Sequence, residues 1–534
     1  MNFAAPQWGI DAEALPNDQF VHLAQVAQDA SLPLTLVFFT EAPGLRYQLN
    51  ANHLLQLPWW RAFDAIQDIP VTEGLPLDVS DVIIPAGSDL VYNGSDVLIV
   101  RGDQYLGTVK RRHGGVWQVI WPTADGRQVN QYDDRGFLST RTWYAADNHV
   151  VKKEWLDITG HWVLRQTTDI VVAPHAQARF EHTEYPTIQR VVGEFAKHYF
   201  QKAGEPGTLV LTADIAPEIT AQLPETMAVH YFITPSRNQR IPELASTATS
   251  LIVATHAEAD QLKTEVQGDA EAADTPVRVI PPFSTSLRLG RSNEVAAIIT
   301  YWHVNGLNET ERAVVFDLLL AHLTSDEEQQ LIVDADNQAQ IEEFQRLALA
   351  FAAPKHGVAL DSPEFAQLQA LLAGDEPPEA APIKAVTEMT EADERVAVAG
   401  VSVSHAADEA ELAAIIQHFL DRAAYQVRAN NLQITQDFET VRLLVDLGQT
   451  PDLFMQIEAI STGIPQVNRT ATDYVITGEN GRIIAQLGEL TAALHDYLDS
   501  LTQWNKALVV NAQLIDQYSE ARSQALWREV LING

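Results

Sequence analysis

The chain has 534 residues, too many for one hydrophobic core, so two or more domains are expected. Its composition, 46% hydrophobic and 20% charged, is ordinary for a globular protein, but its formal charge of −36 is far from neutral. An acidic surface of that size repels phosphate backbones and anionic lipid, which excludes nonspecific binding to nucleic acid or a membrane surface; the lack of cysteine excludes disulfides, thiolate metal sites and cysteine nucleophiles.

The start, Met1-Asn-Phe-Ala-Ala-Pro-Gln-Trp8, lacks the basic region and long apolar run of a signal peptide. No apolar run approaches the roughly 18 residues that suggest a membrane span, so a cytosolic chain is expected. Asn17 and Asp18 offer a helix cap, and Phe20, Leu23, Ala24 and Ala27 follow at helical spacing. Leu34-Thr-Leu-Val-Phe-Phe39 is a continuous apolar run of the kind buried on both faces of a parallel sheet.

From about Asp89 the pattern changes. Strand-like runs at Val97–Val100, Tyr105–Val109, Val116–Trp121, Phe137–Tyr144 and His161–Leu164 are punctuated by turn pairs such as Gly102-Asp103, Gly114-Gly115, Asp125-Gly126 and Thr159-Gly160. Turns recurring at roughly 10 to 13 residues predict a meander of antiparallel hairpins, here over 88–172. Lys110-Arg-Arg-His113 and Lys152-Lys153 make it less acidic than the rest and are read as outward charges that discourage edge pairing, with a docking surface as the functional alternative. Trp117, Trp121, Trp143, Trp155 and Trp162 are expected mostly in its core. Asp133-Asp134, near Asp125, fit no calcium loop and are read as hairpin-turn acids.

Strand and helix then alternate again. Thr208–Leu211, Val229–Ile233, Leu251–Val253 and Val277–Ile280 are predicted strands, and Pro281-Pro282 marks a hinge. A second α/β unit opens at Val295-Ala-Ala-Ile-Ile-Thr-Tyr-Trp302 and continues through Gln330–Val333, Val396–Ala399, Val441–Val445 and Pro465–Val467. Gly374-Asp-Glu-Pro-Pro-Glu-Ala-Ala-Pro382 is acidic and Pro-rich and is expected to be a loop. Leu487, Leu490, Leu494, Leu498 and Leu501 form one helical stripe, and Leu514, Tyr518, Ala521 and Ala525 a weaker one. The expected fold is therefore α/β, with two doubly wound Rossmann-like domains and an antiparallel β-sheet insertion in the first. The predicted boundaries are 1–87 with 173–283, 88–172, 284–503, and a helix within 504–534 packing back on the first domain. Ligands of such folds sit outside the carboxyl ends of the strands, and the cleft between two such domains is the default site.

Glu458-Ala-Ile-Ser-Thr-Gly-Ile-Pro465, followed by Val475-Ile-Thr-Gly-Glu-Asn-Gly-Arg-Ile-Ile484, resembles the carboxyl-terminal domain of GT-B glycosyltransferases. In that family a helix leads through Gly-x-Pro into a strand, and the acid opening that helix binds a nucleotide ribose. Active retaining members carry an earlier acid followed by a Gly-aromatic-Gly run whose amides approach the diphosphate. Counting back the family's interval from Glu458 puts Thr450 in that acid position, followed by Pro451, Asp452 and Leu453. Proline removes an amide donor, and leucine lacks glycine's freedom. Aspartate adds a charge that repels phosphate by roughly 1–4 kcal/mol at short range. Active members also place an Arg and a Lys after the first strand of this domain. Here Tyr301-Trp-His-Val-Asn-Gly-Leu-Asn-Glu-Thr-Glu-Arg312 supplies only Arg312, inside the next helix; Arg288 and Arg291 precede the strand, and His303 is read as a loop histidine. Thr450, Pro451, Asp452, Leu453 and Glu458 are therefore read as degenerate nucleotide-sugar positions. No catalytic residue, cofactor or metal ligand is assigned.

Leu45-Arg-Tyr-Gln-Leu49, Leu57-Pro-Trp-Trp-Arg-Ala-Phe-Asp-Ala-Ile-Gln67, Tyr132-Asp-Asp-Arg-Gly-Phe-Leu-Ser139, Val445-Asp-Leu-Gly-Gln-Thr-Pro-Asp-Leu453 and Leu501-Thr-Gln-Trp-Asn-Lys-Ala507 resemble, in serial order, the first of the accessory Sec system proteins. The resemblance implies a GT-B-like protein without catalysis, serving export of serine-rich repeat glycoprotein adhesins in Gram-positive bacteria. The implied partners are the second and third accessory Sec proteins, the accessory SecA motor and translocon, and the adhesin itself. The implied location is cytoplasmic, peripheral at the inner membrane face through those partners. The alternatives are an active glycosyltransferase modifying the adhesin from a nucleotide-sugar donor, and a glycan-binding module.

Overall fold

The computed structural model describes residues 1–9, 18–203, 207–234, 240–266, 274–373 and 405–533. The expected cap at Asn17, the acidic loop 374–382 and the strand 396–399 lie outside the described residues. The chain divides into two compact units, Met1–Ser284 with the segment from Glu520 onward, and Thr285–Ser519.

The first unit holds a wholly parallel sheet of seven strands. Across the sheet they run Val277–Val279, Ser250–Val253, Ala228–Phe232, Thr208–Thr212, Asn2–Ala5, Thr35–Phe38 and Trp59–Arg61. The first strand in sequence is thus central, and the order reverses beside it. Asn2–Ala5 escapes sequence reading because four residues carry no periodicity, yet all four are buried. Helices cover both faces. Helix Gln19–Asp29 starts at Asp18, whose carboxylate accepts from the amides of Phe20 and Val21 at 2.8 and 3.1 Å.

Between these strands the chain builds a ten-stranded antiparallel sheet from Asp89–Asn93 to Glu184–Tyr185, each strand pairing with the next in sequence. It runs past residue 172 because Ile170–Val172 pairs onward with Glu184–Tyr185, a strand too short to show alternation. Of the five tryptophans expected mostly inside, only Trp155 is fully buried. Trp143, Trp162 and Trp117 are half-buried and each carries a cation over its ring: Lys152 at 3.4 Å, Arg165 at 4.1 Å and Arg112 at 4.9 Å.

Asp133 is not a simple turn acid. It is buried, and its oxygens accept from Arg61 at 2.8 Å and Arg135 at 2.7 Å. Arg135 also reaches both oxygens of Asp64, at 2.9 and 2.8 Å, and Arg61 donates Nε–H to Asp64 at 2.9 Å. Two arginines and two aspartates thus close a reciprocal network that ties the insertion to the edge strand and helix of the parallel sheet. Gln67 adds bonds to the carbonyls of Ser139 and Leu156, at 2.8 and 2.7 Å.

The second unit holds a six-stranded parallel sheet, in order Ala423–Val427, Gln329–Ala335, Ile298–His303, Val441–Asp446, Gln466–Asn468 and Gly481–Ile483. The order reverses between Ile298–His303 and Val441–Asp446, which puts a switch point at the ends of those strands. Asn308 and Glu311 form a reciprocal capping box that starts helix Glu309–Leu323.

The leucine stripe ends otherwise than its spacing suggests. Helix Leu490–Leu494 passes into a π-helical turn, His495–Asp499, before helix Leu501–Gln517. Ser500 then leaves helical geometry at φ −114° and ψ 101° to cap the next helix, which breaks the stripe: Leu490, Leu494 and Leu498 are buried while Leu501 is exposed. The helix expected within 504–534 is also two helices. Leu501–Gln517 stays with the second unit, where Trp504 is buried and donates to the carbonyl of Arg442 at 3.1 Å. Only Glu520–Asn533 belongs to the first unit, where Trp527, Val530 and Leu531 enter the core beside helix Gln19–Asp29.

Candidate functional site

The switch point of the second sheet fixes one row of side chains. His303 closes its strand and sits in register with Asp334 on one neighbour and Asp446 on the other. His303 is therefore a strand residue and not a loop histidine. Its Nδ1 lies 3.3 Å from Asp334 Oδ2, which also accepts from the Tyr301 hydroxyl at 3.0 Å. Asp334 Oδ1 accepts from the Ala429 amide at 2.9 Å.

Asp446 is wholly buried and turns towards the loop that follows it. Its two oxygens accept from the amides of Gly448 at 3.2 Å and Asp452 at 2.8 Å. Asp452 then caps helix Leu453–Thr462, accepting from the Met455 amide at 3.0 Å. Pro451 has no amide hydrogen to offer. Among the donors around this helix start, three thus meet the chain's own carboxylates. The loop is further pinned by Asn305, which donates to the Thr450 carbonyl at 2.6 Å, and by Thr470, which donates to the Gln449 carbonyl at 3.0 Å. Gly448 is required by contact: a Cβ there would stand 2.6 Å from the Asn305 carbonyl oxygen.

The row carries its own charge balance. Burial would lower His303, but its hydrogen bond to Asp334 and the charges of Asp446, Asp452 and Asp334 outweigh that and lift it to about 9. Burial pushes Asp446 up to about 6, although His303 and the two amides pull it down. At neutral pH an imidazolium faces two carboxylates, so the positive group here is already matched by acids.

Glu458 lies in the middle of its helix and is mostly buried. Its Oε2 pairs with the Arg288 guanidinium and sits 3.4 Å from the Thr435 hydroxyl. Burial raises its carboxyl above the usual range, against the opposing pull of Arg288. The Arg288 backbone is held to the Ser461 carbonyl at 3.2 Å. Arg291 pairs with Glu439 at 3.0 Å and Arg312 with Glu343 at 3.1 Å. The three arginines weighed for the diphosphate, Arg288, Arg291 and Arg312, therefore have acidic partners. Gly463 ends the helix at φ +82°, and a Cβ there would meet Leu508 Cδ1 at 2.4 Å, which explains the Gly of the Gly-x-Pro turn.

Sequence reasoning finds the loop and Glu458 but misses Asp446 and Asp334. Their signal is an acid at the carboxyl end of a strand beside a switch point, followed for Asp446 by the Leu-Gly of the loop.

Two parallel doubly wound sheets, an antiparallel insertion in the first and this helix–turn–strand frame in the second define a GT-B glycosyltransferase-like fold. The pneumococcal O-GlcNAc transferase GtfA, solved with UDP and GlcNAc, superposes with a TM-score of 0.66 at 11% identity, covering 100% of this chain and 99% of that one. The family model for accessory Sec system protein ASP1 matches residues 4–350 and 384–532, so the chain belongs to that family. The accessory Sec system protein ASP1 of Streptococcus gordonii is 22% identical over 528 residues, covering 95% of this chain and 91% of that protein. The structure of accessory secretory proteins 1, 2 and 3 of Streptococcus pneumoniae contains a chain that matches with a TM-score of 0.71 at 20% identity, each covered in full. Among the described residues, no helix is long and apolar enough to cross a membrane.

Proposed function

We propose that this chain is a non-catalytic, glycosyltransferase-like subunit of an accessory secretion complex. In this reading Thr450, Pro451, Asp452, Leu453 and Glu458 mark a nucleotide-sugar position that its own residues have closed. The observation that carries the proposal is the use of the Gly448, Asp452 and Met455 amides by Asp446 and Asp452. A diphosphate at this helix start would have to displace two carboxylates, and the cations described around it, His303 and Arg288, are already matched by acids of the chain. The subunit would act through protein contacts with the second and third accessory Sec proteins. The solved complex of such proteins from Streptococcus pneumoniae supports that arrangement by likeness of fold and family. Export of serine-rich repeat glycoprotein adhesins, with the accessory SecA motor and translocon, would be the process served. The subunit would be cytoplasmic and reach the inner membrane face through its partners.

A melting scan of the purified chain against a panel of nucleotide sugars tests the closed site. A donor bound at about 100 times its Kd would stabilise the protein by roughly 2.7 kcal/mol. The expected result is no shift with any donor; a shift abolished by Glu458→Gln, or turnover of a donor, would restore the glycosyltransferase reading. Co-purification with the two partner proteins checks the assembly arm, and recovery only as a lone chain from cells expressing all three would count against it.

A further inference from the structure

A second cluster, unrelated to the sheet-edge row, joins helix Glu309–Leu323 to the π-helical turn His495–Asp499. His322, in the last turn of its helix, is buried, its side chain 7% exposed, and its Nε2 has no hydrogen-bond partner among the described residues. That atom lies 3.9 Å from Asp499 Oδ1, beyond hydrogen-bond reach. His495 places its ring edge-on to His322, with centroids 5.6 Å apart, and its Nδ1 meets the other oxygen of Asp499. One ligand atom from each of the three residues lies within 4.8 Å of the others.

A buried imidazole nitrogen without a partner is costly, because it gives up water for nothing. Here it looks onto an exposed histidine and carboxylate that share one helical face, being four positions apart. The π turn matters: widening the helix there brings His495 and Asp499 to the end of helix Glu309–Leu323, and such turns recur at functional sites. Two imidazoles and a carboxylate suit zinc or a similar borderline divalent ion, with bonds of about 2.0–2.2 Å and water in an open position. A small inward movement of the two exposed side chains would close the observed spacing to such bonds.

We propose that His322, His495 and Asp499 form a divalent transition-metal site of the zinc type, which clamps the end of one helix to the turn preceding Leu501–Gln517. The site stands independently of whether the sheet edge binds a sugar donor.

Chelator-treated full chain is titrated with zinc chloride by calorimetry, and its melting temperature is followed in parallel. One zinc per chain with a Kd of about 10 µM or tighter, and a rise in Tm, is the expected result. His495→Gln and Asp499→Asn alter exposed side chains and should fold; each should weaken binding about tenfold or more. His149→Gln, at an exposed His–Asp pair in the insertion, should leave it unchanged. Magnesium in place of zinc should give no Tm rise. Absence of one-to-one zinc binding, or undiminished affinity in both ligand variants, would overturn the proposal.

Discussion

Each unit buries a charge cluster, and the two use different cations. In the first unit Arg61 and Arg135 meet Asp64 and Asp133, with every acid bridged by both arginines. A guanidinium keeps its proton at any accessible pH, so the cations of this joint between insertion and sheet do not titrate, whereas burial pushes Asp64 up to about 6 and raises Asp133 as well. In the second unit the cation is His303, which can titrate, and the acid Asp446 spends its lone pairs on backbone amides. The first arrangement joins elements; in the proposed reading the second fills a position where a doubly wound sheet would otherwise receive a ligand. The contrast shows that a buried cluster is read by what its acids face.

The largest effect should come from breaking the joint. Arg135→Met removes one cation of similar length and leaves Asp64 and Asp133 buried with half their partners. The first unit is expected to lose about 3–5 kcal/mol, seen as a lower urea midpoint with an unchanged slope.

The second cluster should show itself through pH. Folded His303 keeps its proton to about 9, whereas the unfolded chain releases it near 6.5. The folded state therefore binds more protons between those values, and stability falls as pH rises through that window. Asp446, at about 6, has largely finished titrating there. The second unit should lose up to about 3 kcal/mol between pH 6.5 and 9.5, and His303→Gln should flatten that slope in urea melts. A slope unchanged by the substitution would assign it to other groups.

The smallest effect tests the loop alone. Asp452→Ala removes the cap of helix Leu453–Thr462 and should cost about 1 kcal/mol, read by thermal melting. It should not by itself create affinity for a nucleotide sugar, because Asp446 would still hold its two amides.

Much of the frame is legible in the chain. Continuous apolar runs such as Val441–Asp446 announce strands buried on both faces, and Gly463 with Pro465 announces the turn that follows helix Leu453–Thr462. What stays hidden depends on partners distant in sequence. Asp133 reads as a turn acid because only one of its two arginine partners, Arg135, is local, while Arg61 lies 72 positions away. His303 reads as a loop residue because nothing local reveals Asp334 and Asp446 in register on either side. The strand Asn2–Ala5 is central only because Thr208–Thr212 and Thr35–Phe38 flank it.

The way the chain leaves and re-enters its first unit has a consequence for synthesis. Trp527, Val530 and Leu531 complete a core begun by Ala4 and Phe20, yet the whole of Thr285–Ser519 is made in between. At ribosomal speeds of about 5–20 residues per second, that interval lasts on the order of tens of seconds. For that time the nascent protein leaves uncovered the apolar side chains on which helix Glu520–Asn533 will lie, and the later unit is completed before that helix is made.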